Sequence, residues 1–326
     1  MNKIFTFKPY LKTVVWGGDK IKEFKNIDTD MTNIGESWEI SGVPGHESVV
    51  DSGEDRGLTI TQLIDKYGAD LVGDDVYRRF GNSFPLLIKI IDARDNLSVQ
   101  VHPDDELAGR RHNSPGKTEM WYVIDADDNA DIISGLSKEI TPYEYRSRVA
   151  DNTITDVLAC HKSHPGDVFF LPAGRIHAIG GGNLIAEIQQ TSDITYRVYD
   201  YDRRGLDGKP RQLHVEEAVD AIDYRVYDNY VTDYDRAAKG EVPLVKCNYF
   251  DVQKITVNGQ LSLQHLSESF TALICIDGRC TVDVDREAAC DISRGHTVLV
   301  AASARSVTLT GNAVLIAASV PRDSAK

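Results

Sequence analysis

The sequence has no apolar run approaching the twenty or so residues that cross a bilayer, and its start, MNKIFTFKPYLKTVVWGG, lacks the apolar core and small-residue cleavage site of a secretory leader. We therefore expect a soluble protein of the cytoplasm, with no membrane partner. Cysteine is scarce: five residues (Cys160, Cys247, Cys275, Cys280, Cys290), an odd number without framework spacing, which suits a reducing compartment. Positive charge is also short, 36 Lys and Arg against 50 Asp and Glu, for a formal net charge of −14. That field repels nucleic acid, so a nucleic-acid partner is not expected, while a small anion remains possible wherever a few cations converge. Low-complexity segments and a βαβ alternation are missing too.

What is present is a large supply of short β segments. Hydrophobic residues make up 41% of 326, ample for a core and comfortable for two domains. LTITQLIDKYGADLVG has apolar residues at helical spacing, with Thr59 or Thr61 placed to cap it, and HVEEAVDAID reads as a second short helix. TPYEYRSRVADNTITDVLACHKSHPGD reads as a helical excursion, a strand and a turn. Around these, PLLIKII, NLSVQVHP, EMWYVIDA and GDVFFLPAGRIHAIGGGNLIAEIQQTSDITYRVYDYDR read as strands broken by Gly and Pro. From about Lys246 strands and turns alternate again, and ALICIDGRCTVDV predicts a hairpin with Asp277-Gly278 at its tip. The class is mainly β, a sandwich or barrel with a few helices plus a smaller C-terminal β-domain, and the boundary falls near AAKGEVP, giving domains 1–240 and 241–326.

On a strand, alternate side chains share a face, so Gln100 and His102 point into one cavity while Val99 and Val101 point away. With Glu119 in GKTEMWYVI and His177 in PAGRIHAIGGG they make two imidazoles, a carboxylate and an amide, a set that can hold a divalent cation. Spacing alone leaves the plainer reading open, since Gln-x-His on a strand is more often a satisfied polar pair. Lys89 lies inside an apolar run, where a charge is either turned into a cavity or paired. Lys117 lies two residues before Glu119, and Asp193 four before Arg197. Gly180, Gly181 and Gly182 do not open a helix after a strand, so they read as a tight turn. His161 and His164 read as surface residues. Cys275, Cys280, Cys290 and His296 read as packing and turn residues rather than a second metal site.

The stretch GDVFFLPAGRIHAIGG resembles the second motif of the cupin superfamily, whose double-stranded β-helix, or jelly roll, holds metals; Gly181 stands where that motif usually has Asn. The first cupin motif departs here, because Glu119 comes 17 residues after His102. SVQVHPDD, GKTEMWYV, PAGRIHAIGGG, EIQQTSDITYRVYDYDR and GKPRQLHV, with KPYLKTVVWGG and IGESWEIS, resemble the short form of type I mannose-6-phosphate isomerase from about residue 8 to residue 220. The resemblance implies a cupin catalytic domain and one Zn²⁺ per chain on Gln100, His102, Glu119 and His177. It implies isomerisation between mannose 6-phosphate and fructose 6-phosphate through an enediol(ate), with Arg197, the arginine of the TYR motif, as an active-site residue; Lys117, on the strand face of Glu119, is the second catalytic candidate, as a base or equally as a phosphate contact. Substrate handling then falls to Lys89, Lys117, Asp193 and Arg197, in a monomer or homodimer. Glu36 and Trp38 match family motif residues, though a packed strand at the barrel mouth accounts for them as well. Glu187 and Gln189 share a face and are placed to support the ligands. An Fe(II) cupin oxygenase would use a similar His and carboxylate set, but Gln100 and the nearby cations argue against it. A non-catalytic sugar-binding cupin would be favoured by loss of a ligand or of Arg197, and all are present.

Overall fold

The computed structural model describes residues 1–263 and 268–322. The protein is mainly β, built from three antiparallel sheets with helices packed outside them. Among the described residues no helix is long and apolar enough to cross a membrane.

Two of the sheets form the jelly roll. One has six strands in the order Val168–Leu171, Glu119–Ala126, Asn183–Gln190, Leu86–Ala93, Tyr10–Gly18, Ile34–Ser41. The other has five, in the order Tyr196–Tyr199, Val99–Val101, His177–Ile179, Asp131–Leu136, Leu158–Lys162. Strand Leu86–Ala93 is buried throughout, so its sequence reads as an unbroken apolar run rather than an alternation. Its two faces nonetheless differ. Ile91 and Ala93 pack with Trp121, Val123 and Ile185 against Ile132 and Ile179 of the second sheet, while Leu86, Ile88 and Ile90 face the opposite side. Lys89 shares the inward face with Ile91, and the same alternation sends Glu119 and Glu187 inward beside Trp121 and Ile185.

Three helical segments, Ile60–Tyr67, Ala69–Val72 and Asp74–Phe80, cover the outer face of the six-stranded sheet. The first starts where the sequence predicts: Thr59 Oγ1 accepts from the Gln62 N–H at 3.2 Å, and Gln62 Oε1 accepts from the Thr59 N–H at 2.9 Å. Helices Pro142–Ala150 and Val215–Ala221 cover the outer face of the five-stranded sheet.

The third sheet contains Gly240–Lys246, Asp251–Leu263, Thr271–Val284, Ala288–Ser293, Thr297–Val300 and Val307–Ser319. It also takes in residues from the start of the chain, because Ile4–Lys8 pairs with Thr297–Val300 in the register Ile4↔Val300. The hairpin expected at Asp277-Gly278 is absent. Thr271–Val284 is one strand that pairs with Val307–Ser319 along its length, with a register shift between Cys275 and Asp277. Gly278 has φ +72°, and a Cβ there would lie 2.2 Å from the Asn312 carbonyl oxygen. An Asp-Gly pair meets the demands of a bulge as well as those of a turn.

Candidate functional site

All eight residues singled out by sequence, Lys89, Gln100, His102, Lys117, Glu119, His177, Asp193 and Arg197, line one cavity of about 360 Å³ between the two jelly-roll sheets. Strand pairing brings them together. His177 and Arg197 both stand opposite Gln100, one on each flanking strand. His102 follows the end of Val99–Val101, and Glu119 begins the strand beside Asn183–Gln190, opposite Gln189.

At the centre Glu119 is 1% exposed; its Oε1 has no hydrogen-bond partner, and its Oε2 meets only the Lys117 ammonium at 3.1 Å. His177 Nε2 lies 3.3 Å from Oε1 and His102 Nε2 lies 3.5 Å from Oε2. The other nitrogen of each ring is committed: His102 Nδ1 meets the Ile194 carbonyl at 3.0 Å and His177 Nδ1 the Arg175 carbonyl at 2.7 Å. A carbonyl only accepts, so both Nδ1 atoms carry the proton and both Nε2 lone pairs face the carboxylate. Gln100 Nε2 donates to Ser98 Oγ at 3.1 Å, which leaves the amide oxygen as its uncommitted ligand atom.

Donors about 2.1 Å from one ion at tetrahedral angles stand about 3.4 Å apart. The two separations between the imidazoles and Glu119 match, and a buried carboxylate oxygen without a hydrogen-bond partner is what an ion would satisfy. These residues therefore fit a divalent cation. Burial, together with the Lys117 ammonium and the His177 ring, pushes the His102 imidazole well below its usual pKa. Burial likewise pushes His177 down to about 4, so both rings are neutral, as ligands must be. Burial pushes the Glu119 carboxyl up to about 7, against the pull of Lys117.

Cations surround this cluster. Lys117 Nζ lies 3.1 Å from Glu119 Oε2 and 3.2 Å from His102 Nε2. Arg197 Nη1 donates to the Gln212 carbonyl at 2.8 Å, and its buried Nε has no partner. Burial and the neighbouring Arg211 lower the Arg197 pKa. Lys89 is held by Glu187 at 3.0 Å.

Sequence reasoning missed other wall residues. Trp121 alternates with Glu119 on the same strand, and period two alone would have found it. Arg211 reaches the cavity because Asp200, 5% exposed, accepts from its guanidinium, a closure of the 200–211 loop with no local signal. Glu36 and Trp38, left open between motif and packing, both line the cavity. His161, expected at the surface, is half-buried against Phe169 and Tyr230 because its strand lies on the five-stranded sheet; His164 is exposed. Among the described residues the His, Cys, Asp and Glu side chains converge as a possible metal cluster at His102, Glu119 and His177, and no such cluster forms around Cys275, Cys280, Cys290 and His296.

Residues 4–132 match the family described as phosphomannose isomerase type I, catalytic domain, and residues 241–320 match that described as mannose-6-phosphate isomerase, cupin domain. The chain is 33% identical over 311 residues to the putative mannose-6-phosphate isomerase YvyI of Bacillus subtilis, covering 94% of this chain and 96% of that protein. It is 37% identical over 276 residues to the mannose-6-phosphate isomerase ManA of the same organism, covering 83% and 85%. A crystal structure of mannose 6-phosphate isomerase from Bacillus subtilis superposes with a TM-score of 0.87 at 32% identity, covering 97% of this chain and 99% of that one. A putative mannosephosphate isomerase from Archaeoglobus fulgidus has the same fold, with a TM-score of 0.79 at 23% identity over 97% of each chain. The motifs, the jelly roll and these matches agree, and the chain belongs to the type I phosphomannose isomerase family.

Proposed function

We propose that this protein is a zinc-dependent aldose-ketose isomerase that interconverts mannose 6-phosphate and fructose 6-phosphate through an enediol(ate). The observation that carries the reading is Glu119: a buried carboxylate between the Nε2 atoms of two neutral imidazoles, its Oε1 without a hydrogen-bond partner and its Oε2 against the Lys117 ammonium, in a cavity that also holds Lys89 and Arg197. One Zn²⁺ per chain, held by Gln100, His102, Glu119 and His177, would supply a Lewis acid for the sugar's C1 and C2 oxygens. Lys117, against the ligand cluster, is placed to carry the proton between C2 and C1. Arg197 offers a fixed positive charge to the developing enediolate. Lys89 and Asp193 bind and orient the sugar phosphate from the wall.

An Fe(II) oxygenase is disfavoured by Gln100 and by the ring of cations, which suit an anionic substrate. We assign catalysis to residues 1–240 and a supporting role to 241–326, with strand Ile4–Lys8 tying the two together. Five free cysteines suit a cytoplasmic enzyme, acting as a monomer or homodimer. The test is a coupled assay on mannose 6-phosphate with metal analysis of the same sample. Turnover that scales with zinc content is expected; turnover unchanged after verified metal removal would overturn the mechanism.

A further inference from the structure

Between strands Val168–Leu171 and His177–Ile179 the chain turns through Pro172, Ala173, Gly174 and Arg175, and that turn reaches both imidazole residues of the site. The Arg175 carbonyl meets His177 Nδ1 at 2.7 Å, and the Gly174 N–H donates to the His102 carbonyl at 2.9 Å. Glycine suits this place because φ at Gly174 is +88° and a Cβ there would lie 2.9 Å from the Ala221 carbonyl oxygen. Two adjacent residues thus touch the ring of one ligand and the backbone of the other.

What holds the turn is a stretch of irregular chain, residues 222–231, that follows helix Val215–Ala221. The Asp223 N–H donates to the Gly174 carbonyl at 2.8 Å. Arg175, 9% exposed, lays its guanidinium over two rings of the same stretch, 4.6 Å from the Tyr227 centroid and 4.7 Å from that of Tyr230. Those rings are fixed in turn. Tyr230 Oη donates to the Leu136 carbonyl at 2.8 Å and accepts from the Tyr227 N–H at 3.0 Å, while Tyr227 Oη donates to Asp223 Oδ2 at 2.6 Å. A Cβ at Gly135 would lie 2.1 Å from the Tyr230 ring, so the glycine leaves the room that ring occupies.

A guanidinium is costly to bury, and a residue that only filled this space would be apolar. The nearby Asp223 carboxylate is taken by Arg225 at 2.8 Å and by the Tyr227 hydroxyl. Arg175 therefore faces aromatic rings, an attraction that reaches about 2 kcal/mol where water is kept out. Its side chain is anchored to residues 222–231, and its own carbonyl is the atom that orients His177.

We propose that Arg175 is a positioning residue: Tyr227 and Tyr230 hold its side chain, and through its carbonyl they fix the tautomer and the angle at which His177 presents Nε2 toward Glu119. This rests on the zinc-isomerase reading above. A ligand ring already held by its second nitrogen loses less freedom when it binds an ion.

The test uses zinc-loaded protein carrying Arg175→Met, Tyr227→Leu, Tyr227→Phe, or Arg175→Met with Tyr227→Leu, and measures the zinc Kd by competition with a chelator. Arg175→Met and Tyr227→Leu are each expected to weaken zinc about tenfold, the scale of a lost partner behind a metal ligand. Tyr227→Phe keeps the ring face and should stay close to the parent, and the double variant should be no weaker than the weaker single, because both changes remove one interaction. A second readout needs no turnover: the proton on His177 Nδ1, followed by NMR, exchanges slowly with solvent in the parent and faster in Arg175→Met and Tyr227→Leu. Tyr227 is half-buried, so its two variants carry the test should Arg175→Met fail to fold. A purely structural role would lower the melting temperature and leave zinc affinity and proton exchange unmoved, and that result overturns the proposal. Equal losses in Tyr227→Leu and Tyr227→Phe, or additive losses in the double variant, overturn it as well. A parent that shows the expected pattern but does not turn over mannose 6-phosphate refutes the isomerase reading and leaves the positioning role standing. A parent that takes up no divalent cation overturns both.

Discussion

Lys117 stands 3.1 Å from the Glu119 carboxylate and two residues ahead of it, so an ammonium touches the atom that would face a cation. Removing that ammonium leaves the ligands in place and takes away a like charge. Lys117→Met is therefore expected to keep one zinc per chain while kcat falls by roughly 10² to 10⁴, the range of a lost acid-base group. Metal analysis beside steady-state kinetics checks it. Loss of zinc in proportion to loss of rate would make Lys117 a structural residue.

Arg197 is oriented by the Gln212 carbonyl rather than by any of the four ligands, which separates its role from theirs. Arg197→Ala should lower kcat by roughly 10² or more, the scale of a lost group that stabilises developing charge, with zinc affinity changed little. Normal turnover by this variant would contradict the assignment.

The site was more legible than its surroundings, for a physical reason. Period-two alternation is local, so Gln100 with His102 and Lys117 with Glu119 could be paired before any fold was known, and a lysine inside LLIKII advertised burial. The partners of Lys89 were harder: Glu187 is 98 residues away and only strand register places it opposite. The pairing of Ile4 with Val300 has no local trace at all. Asp277-Gly278 misled because a left-handed glycine serves a bulge and a turn equally.

All three tryptophans of the chain, Trp16, Trp38 and Trp121, line the cavity, and the Trp121 ring meets the His177 imidazole edge to face at 5.3 Å. Intrinsic fluorescence should therefore report the site. Chelation is expected to shift the emission, abolish isomerase activity and lower the melting temperature, and zinc at about 1,000 times its Kd should restore about 4 kcal/mol of stability. A spectrum indifferent to metal would place the cation elsewhere.

Lys25 and Glu39 form a buried pair, with Nζ 2.8 Å from both carboxylate oxygens and 2.6 Å from the Gly295 carbonyl, so one ammonium joins the six-stranded sheet to the turn between Ala288–Ser293 and Thr297–Val300 of the third sheet. Lys25→Met leaves Glu39 buried without its counter-charge and is expected to cost about 3 to 5 kcal/mol in urea unfolding. A cost below about 1 kcal/mol, the value of an exposed pair, would show that water reaches the carboxylate.

Glu187 ties the site to acid stability. Burial would raise its pKa, but the Lys89 and Lys117 ammoniums and the Trp121 N–H outweigh that and hold the folded value at about 2, against 4.5 for the ordinary group. Below 4.5 the unfolded chain takes up this proton while the folded one refuses it, so the stabilisation, about 3 kcal/mol when complete, is present above pH 4.5 and is lost as pH falls toward 2. Other titrating groups contribute alike to the parent and to Glu187→Gln, and a difference between the two isolates this one. The stability gap in urea should be widest near pH 6, narrow at pH 3 and close near pH 2. A gap constant across that range would mean that the carboxylate's charge contributes nothing and that Glu187 acts through packing alone.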